Sequence, residues 1–275
     1  MSQLIQLKQR IKAIQVIKKI THAMRLISMS SHSKLKRKAL NISECTNMIA
    51  PLYAALEKST SHPIFFNKFA TKKLYILIAS EKGLCGNFNM IVFNHFKHYQ
   101  QTNPYDVYDL ICIGKKAYEF ALKEKLPVIA QFNTFTPNKL EQAASFIHDA
   151  VIDNKNAYHD VICFYNKAKS FFAQKPTHAP LLGNTSTDLD VIDLQEYEWP
   201  QEKTEVSQCL LQTLLKLNIL DILITSMIAE QSARFLSMDS ATRSAEKLLK
   251  NMQIEYNKMR QTKITKELME LLGSF

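Results

Sequence analysis

Glycine and proline are scarce in this chain, and their positions divide it. Only five glycines and eight prolines occur in 275 residues, and every proline lies between Pro51 and Pro200. Residues 1–50 and 201–272 contain neither residue type. Because proline and glycine interrupt helices, both stretches are predicted to be long helices. Unbroken, they would span on the order of 70 and 100 Å at about 1.5 Å per residue.

Long apolar runs and paired cysteines are also missing. No run reaches the roughly 18 apolar residues of a membrane-spanning helix, and the best candidate, residues 214–229, is interrupted by Lys216, Asn218 and Asp221. We expect no targeting peptide at the N-terminus. The five cysteines are widely spaced and never form a Cys-x-x-Cys pair. We therefore expect a folded chain that does not cross a membrane, with reduced thiols in a cytosolic compartment.

The motifs of catalysis and of ligand binding are absent as well. The segment Gly83–Asn87 follows a predicted strand and opens a helix, where a dinucleotide-binding fold carries its phosphate loop. Its spacing matches neither Gly-x-Gly-x-x-Gly nor Gly-x-x-x-x-Gly-Lys-Ser/Thr, so a structural turn is the preferred interpretation. The histidines form no metal-ligand motif. The sequence predicts no catalytic residues, no cofactor and no metal, and favours a mechanical or binding role.

Positive charge is concentrated at the N-terminus. The formal net charge is +10, and the first 40 residues hold ten lysines and arginines and no acidic residue. The remainder carries 25 basic and 25 acidic residues. A segment of this kind faces solvent, nucleic acid, anionic lipid or an acidic protein surface. The run Lys34–Lys38 has no interleaved aromatic residue, which favours a solvated helix face or an acidic protein contact over nucleic acid.

Apolar residues in both terminal stretches follow the spacing of a coiled coil. The C-terminal seam is Phe235, Met238, Thr242, Ala245, Leu249, Met252, Tyr256 and Met259. The N-terminal pattern consists of two short seams joined by an extra three-residue step: Leu4, Leu7, Ile11 and Ile14, then Ile17, Ile20, Met24 and Ile27. No third long helix is predicted, so the terminal helices are expected to pair with each other, antiparallel.

The middle of the chain alternates short strands with helices. Strands are predicted over 74–79, 109–113, 128–132 and 160–165, and helices near 87–101, 115–125 and 138–154. Such alternation predicts a parallel sheet. No strand is placed after Pro176. The predicted fold class is α/β, an antiparallel coiled coil of long terminal helices with an inserted Rossmann-like parallel-sheet domain. The predicted boundaries are 1–60 and 203–275 for the helices and 70–195 for the inserted domain.

Three separate regions, in the same order, resemble the gamma subunit of the F-type ATP synthases. The N-terminal and strand-turn regions are Leu7–Ile11 with Lys19–Met24, and Gly83–Asn89. The C-terminal region comprises Glu230–Arg234, Met238–Thr242, Tyr256–Gln261 and Ile264–Leu268. The resemblance covers nearly the whole chain.

The resemblance implies a function and a set of partners. The chain would be the non-catalytic central-stalk rotor that transmits torque between the membrane ring and the catalytic head, coupling proton transport to ATP synthesis. Its partners would be the alpha and beta subunits of the head, the epsilon subunit and the membrane c-ring, with no nucleic acid and no cofactor. It would be a peripheral membrane protein on the cytoplasmic face of a bacterial inner membrane.

The resemblance also assigns residues to contacts. Tyr197 and Glu198 would meet the membrane ring or the epsilon subunit. The contacts with the catalytic head would be Arg10, Lys19, Met24, Arg25, Arg234, Arg260, Gln261 and Thr265. Two other interpretations remain open at this point: a basic coiled-coil module that binds nucleic acid or acidic protein without rotary coupling, and a free nucleotide-dependent α/β enzyme.

Overall fold

A computed structural model describes residues 2–59, 70–104, 106–154, 156–182 and 202–272. The helices are α1 (Ser2–Ser59), α2 (Phe88–Thr102), α3 (Lys115–Lys123), α4 (Leu140–Asp153) and α5 (Lys203–Leu272), with one 3-10 turn at Pro137–Lys139. The strands are β1 (Lys72–Ile78), β2 (Val107–Ile113), β3 (Val128–Phe132), β4 (Tyr158–Ala168) and β5 (Gln174–Pro180). The predicted fold class is confirmed.

The described chain packs as two compact units. One contains the residues up to Met29 together with those from Arg234 onward, and the other contains Ser30–Ala233. Each unit therefore takes part of both long helices. The domain boundaries predicted above, 1–60, 70–195 and 203–275, were drawn from sequence pattern and not from packing. They stay a prediction.

Each long helix has one unusual feature, a proline inside α1 and a long apolar stretch in α5. Helix α1 spans 58 residues and continues past Pro51, whose missing N–H removes one bond of the helical ladder. Helix α5 spans 70 residues. By length and composition alone, its stretch 203–270 could cross a membrane, with a window of mean hydropathy 1.4 that is 44% buried in the protein. Leu215, Ile219 and Leu223 of α5 lie in the core, as in the core helix of a soluble protein, which passes the same test.

The central sheet has the strand order β3-β2-β1-β4-β5. The first four strands are parallel, and β5 runs antiparallel to β4. Strand β5 was not predicted, because Pro176 and Pro180 disfavour strands. Proline is tolerated there because β5 is an edge strand, where a missing donor can face away from the ladder.

Alternate residues of β1, β2 and β4 enter two separate cores, one on each face of the sheet. Leu74, Ile76 and Ile78 of β1 face α4, α5 and Leu35 of α1. Tyr75 and Leu77 face α2 and α3. Burial of both faces explains why the central strands are continuous apolar runs, as is usual for parallel strands covered by helices.

The crevice in which open α/β sheets bind ligands is occupied here by protein. Such ligands bind beyond the carboxyl ends of strands where the strand order reverses, between β1 and β4 in this sheet. The turn after β1 places Cys85 and Phe88 in one buried cluster with Ala229 and Ala233 of α5. The carboxylate of Glu81 accepts hydrogen bonds from the backbone N–H groups of Lys115 and Phe135, each at 3.2 Å, and so ties three loops together.

Gly114 supports this arrangement, and its replacement is a direct test of the fold. A Cβ at Gly114 would lie 2.3 Å from the carbonyl oxygen of Ala79, at a φ of +88°. We expect Gly114→Ala to lower the free energy of unfolding by about 2–5 kcal/mol, through strain and overpacking. Gly83→Ala is the matched control, because no atom lies within 4 Å of the added Cβ. Chemical denaturation of both variants measures the difference, and equal stabilities would contradict this packing.

Candidate functional site

The unit formed by residues up to Met29 and from Arg234 onward is a pair of helical segments, here called the shaft pair. At its centre the Thr242 hydroxyl lies 2.9 Å from the Thr21 hydroxyl, and both residues are buried. Each hydroxyl also lies within hydrogen-bond distance of a carbonyl oxygen of its own helix, Thr21 Oγ1 at 3.1 Å from that of Lys18 and Thr242 Oγ1 at 2.7 Å from that of Met238. The hydroxyl pair is therefore satisfied inside the interface, as buried polar groups require.

Two ion pairs flank the hydroxyl pair and fix the direction of the helices. Arg25 Nη1 contacts Asp239 Oδ1 at 2.6 Å, and Lys18 Nζ contacts Glu246 Oε1 at 2.9 Å. Position 18 therefore meets 246, position 21 meets 242 and position 25 meets 239. Because one number falls as the other rises, the two segments are antiparallel, and all three contacts share one register.

Asp239 contacts two arginines in the shaft pair. Its carboxylate contacts Arg25 on the opposite segment and Arg243 one turn further along its own helix. The hydrogen bond from Arg25, followed by that from Arg243, lowers the pKa of the Asp239 carboxyl. A lowered pKa in the folded state means that Asp239 stabilises the pair above its unfolded pKa, and that this contribution is lost as pH falls through the folded pKa.

The C-terminal residues predicted as a seam lie at graded depths in the structure. Met238, Thr242 and Leu249 are buried, as is Ala245. The others are half-buried: Phe235, Met252, Tyr256 and Met259. From residue 260 to 270 every residue is exposed, so the burial of this face stops near Met259.

The N-terminal seam follows a different course from the one predicted. Leu7 is buried and Ile11 is half-buried, and the three-four spacing then continues without an extra step, so that Thr21 and Ser28 occupy buried positions. Ile20, predicted in the seam, is 53% exposed, and Ile17 and Ile27 are also exposed. This correction has a physical cause, since Thr21 finds its partner in Thr242 across the interface. Apolar pattern alone favours isoleucine and misses such a pair.

The predicted head-contact residues divide by exposure. Arg10, Lys19 and Arg260 are exposed, as are Gln261 and Thr265. Met24, Arg25 and Arg234 are half-buried, and Arg25 is engaged by Asp239. Tyr197 and Glu198, predicted to meet the membrane ring or the epsilon subunit, lie outside the described residues.

Large apolar side chains point outward from the shaft pair. Val16, Ile17, Ile20 and Ile27 are at least half exposed on the N-terminal segment. On the C-terminal segment Ile254, Ile264, Leu268 and Met269 are exposed to a similar degree. A concentration of exposed apolar residues marks a surface that binds another protein or a membrane.

Sequence reasoning missed the residues that set the register. Six residues make the three cross-contacts, and four of them were not predicted as site residues: Lys18, Thr21, Asp239 and Glu246. Asp239 and Glu246 fall between predicted seam positions. The three-four spacing of Leu7, Ile11 and Ile14 could have revealed the N-terminal seam. The same spacing continues to positions 18, 21, 25 and 28 if polar residues are accepted as seam positions. Within the described ranges, no group of three or more histidine, cysteine or acidic side chains could hold a metal ion.

The two helical segments pair in one register and expose apolar and basic side chains. The ligand crevice of the α/β domain is filled by protein. These features are those of a structural subunit in a larger assembly. A family model described as ATP synthase matches residues 3–275. The ATP synthase gamma chain of Rickettsia prowazekii is 30% identical, with 99% of this chain and 98% of the relative covered. That of Fusobacterium nucleatum is 28% identical, with 98% and 96% covered.

Solved structures have the same fold. A chain of the Euglena gracilis mitochondrial ATP synthase (OSCP/F1/c-ring) matches with a TM-score of 0.68 at 16% identity, covering 99% of this chain and 93% of that one. A chain of the Tetrahymena thermophila mitochondrial ATP synthase central stalk and c-ring matches with a TM-score of 0.60 at 19% identity, covering 81% and 99%. The chain belongs to the ATP synthase gamma chain family. The alternative of a basic binding module without rotary coupling is not supported.

The burial of Leu249 allows a test of its place in the interface of the shaft pair. Leu249 is 8% exposed and its neighbour Leu248 is 47% exposed. We expect Leu249→Asp to destabilise the pair by about 3–5 kcal/mol, because it buries an unpaired charge and removes packing. Leu248→Asp should cost less than about 1 kcal/mol. Amide hydrogen exchange over residues 234–259 measures both, and equal protection in the two variants would refute the assignment of Leu249 to the interface.

Proposed function

We propose that this chain is the central-stalk rotor of an F-type ATP synthase, transmitting torque between an ion-driven membrane ring and a catalytic head. Its role is non-catalytic. The observation that carries the proposal is the register-locked antiparallel pairing of the terminal helices, in a chain that matches the family from residue 3 to 275. A twisting force on one helix reaches the other only if the two cannot slide, and the contacts at 18/246, 21/242 and 25/239 resist sliding.

We further propose the partners by subunit. The alpha and beta subunits of the catalytic head would surround the shaft pair. The epsilon subunit and the membrane c-ring would bind the α/β domain, with Tyr197 and Glu198 among the contacts. The central-stalk and c-ring description of the Tetrahymena structure supports the c-ring as a partner. The complex is membrane-associated, and we place the chain on the cytoplasmic face of a bacterial inner membrane, coupling proton transport to ATP synthesis.

The basic residues of the shaft pair suit acidic loops on the head. Arg10 and Lys19 are exposed on the N-terminal segment and Arg260 is exposed on the C-terminal segment. Exposed ion pairs are individually weak, at about 0.2–1 kcal/mol each, so several must act together. Exposed apolar side chains such as Ile20 and Ile264 would form the part of the same interface from which water is excluded.

Charge removal tests the proposed head contacts. We expect Arg10→Ala, Lys19→Ala or Arg260→Ala alone to lower ion-driven ATP synthesis by less than about fivefold, and the triple variant to lower it by about tenfold or more. The control is the triple variant Lys123→Ala, Lys169→Ala and Lys175→Ala, which removes the same charge from exposed positions of the α/β domain. The measurement is ATP synthesis by the assembled complex in vesicles.

Two outcomes separate the head contacts from the rotor itself. If the shaft and control triples behave alike, the assignment of Arg10, Lys19 and Arg260 to the head is wrong. If the native chain does not co-purify with ATP-hydrolysing subunits, or does not raise their coupled activity, the rotor proposal itself fails.

A further inference from the structure

A pair of histidines joins α2 to the edge strand β5. His95 Nε2 of α2 lies 3.0 Å from His178 Nδ1 of β5. The two rings are stacked, with centroids 5.2 Å apart and planes inclined by 25°. His95 is half-buried and His178 is exposed, so solvent reaches the pair. Neither residue has a part in the proposed rotor function.

The distance between the two nitrogens matches the distance between two imidazole nitrogens bound to one metal ion. Zinc binds imidazole nitrogen at about 2.0–2.1 Å, so two such ligands at about 90–110° are roughly 2.9–3.4 Å apart. The observed 3.0 Å falls inside that interval. In the metal-free pair one ring donates a proton to the other. A cation can take the place of the shared proton when both nitrogens present their lone pairs to one point between the rings.

The surroundings favour the neutral form of His95 and restrict the movement of His178. Burial, followed by the neighbouring His178 and His98, lowers the pKa of His95, and the neutral imidazole is the form that binds metals. The Tyr99 ring lies 4.8 Å from His178, and the Phe164 ring lies 6.0 Å away on the next strand. These aromatic contacts hold His178 over α2, so that little rotamer freedom remains to be lost on binding.

We propose that His95 and His178 form a two-ligand site for a divalent late first-row transition ion such as Zn²⁺, with water in the remaining positions. The bound ion cross-links α2 to β5 and pins the edge strand to the domain. The described part of the chain offers no third histidine, cysteine or carboxylate ligand, so the site is open to solvent and its ion exchanges. Imidazole ligands select zinc, copper and nickel over magnesium and calcium.

Titration of the full-length chain with Zn²⁺ tests the site. Cys45 and Cys209 are exposed thiols and would bind the probe, so both are replaced by serine throughout. We expect calorimetry to show one equivalent of Zn²⁺ bound, with affinity reduced at least about tenfold by His178→Gln. His95→Gln should give the same loss, since the two nitrogens act as one chelate. Circular dichroism of each variant checks that the fold is retained.

His98→Gln is the matched control. His98 lies one helical turn from His95 on α2, is exposed, and contributes to the electrostatics of His95 without belonging to the pair. We expect its loss to change the affinity by less than about threefold. Absence of one-equivalent binding would overturn the proposal. Undiminished binding in His178→Gln would do the same, and so would an equal loss in His98→Gln, because each result removes the pair as the site.

Discussion

A single buried contact between two hydroxyl groups lies at the centre of the shaft pair. Thr21 and Thr242 meet at 2.9 Å, and the ion pairs Lys18–Glu246 and Arg25–Asp239 lie on either side of them. A seam made only of leucine and isoleucine would be more apolar but would tolerate a shift of one heptad, because each apolar layer resembles the next. Here a shift of one heptad would separate Lys18 from Glu246 and Arg25 from Asp239, so these two ion pairs, with the Thr21–Thr242 contact between them, favour a single register. Fixed register is the property that a torque-bearing helix pair requires.

The α/β domain packs against the C-terminal helix α5 and holds it in place. Its sheet is covered on both faces, and the crevice between β1 and β4 is filled by Cys85 and Phe88 packed against alanines of α5. Gly114 allows β2 to turn directly over the carbonyl oxygen of Ala79. The same topology that holds a nucleotide in other proteins here holds the C-terminal helix. The scarcity of glycine in the sequence agrees with this use, because no loop has to approach a phosphate.

Much of this architecture could be predicted from the sequence, because hydrophobic period and helix breakers report local structure. Strand β3 was predicted at its observed bounds, and the two terminal helices follow from stretches free of glycine and proline. Strand β5 could not be predicted, since its prolines are acceptable only at an edge that the sequence does not reveal. The N-terminal seam was misassigned at Ile20 for a related reason. Thr21 is buried because of a partner more than 200 residues away, and a local apolar pattern contains no information about that partner.

The central claim is that the terminal helices turn as one body in the register set by Thr21 and Thr242. A disulfide at this layer tests it most directly, in a chain whose exposed cysteines, Cys45 and Cys209, are replaced by serine. The variant Thr21→Cys with Thr242→Cys is assembled into the complex, oxidised, and assayed for ion-driven ATP synthesis. The account predicts that the cross-link forms readily, because the two side chains already touch, and that synthesis is retained, because the cross-linked helices do not move past each other. Failure to cross-link, or a cross-linked complex that no longer couples ion flow to synthesis, would contradict it.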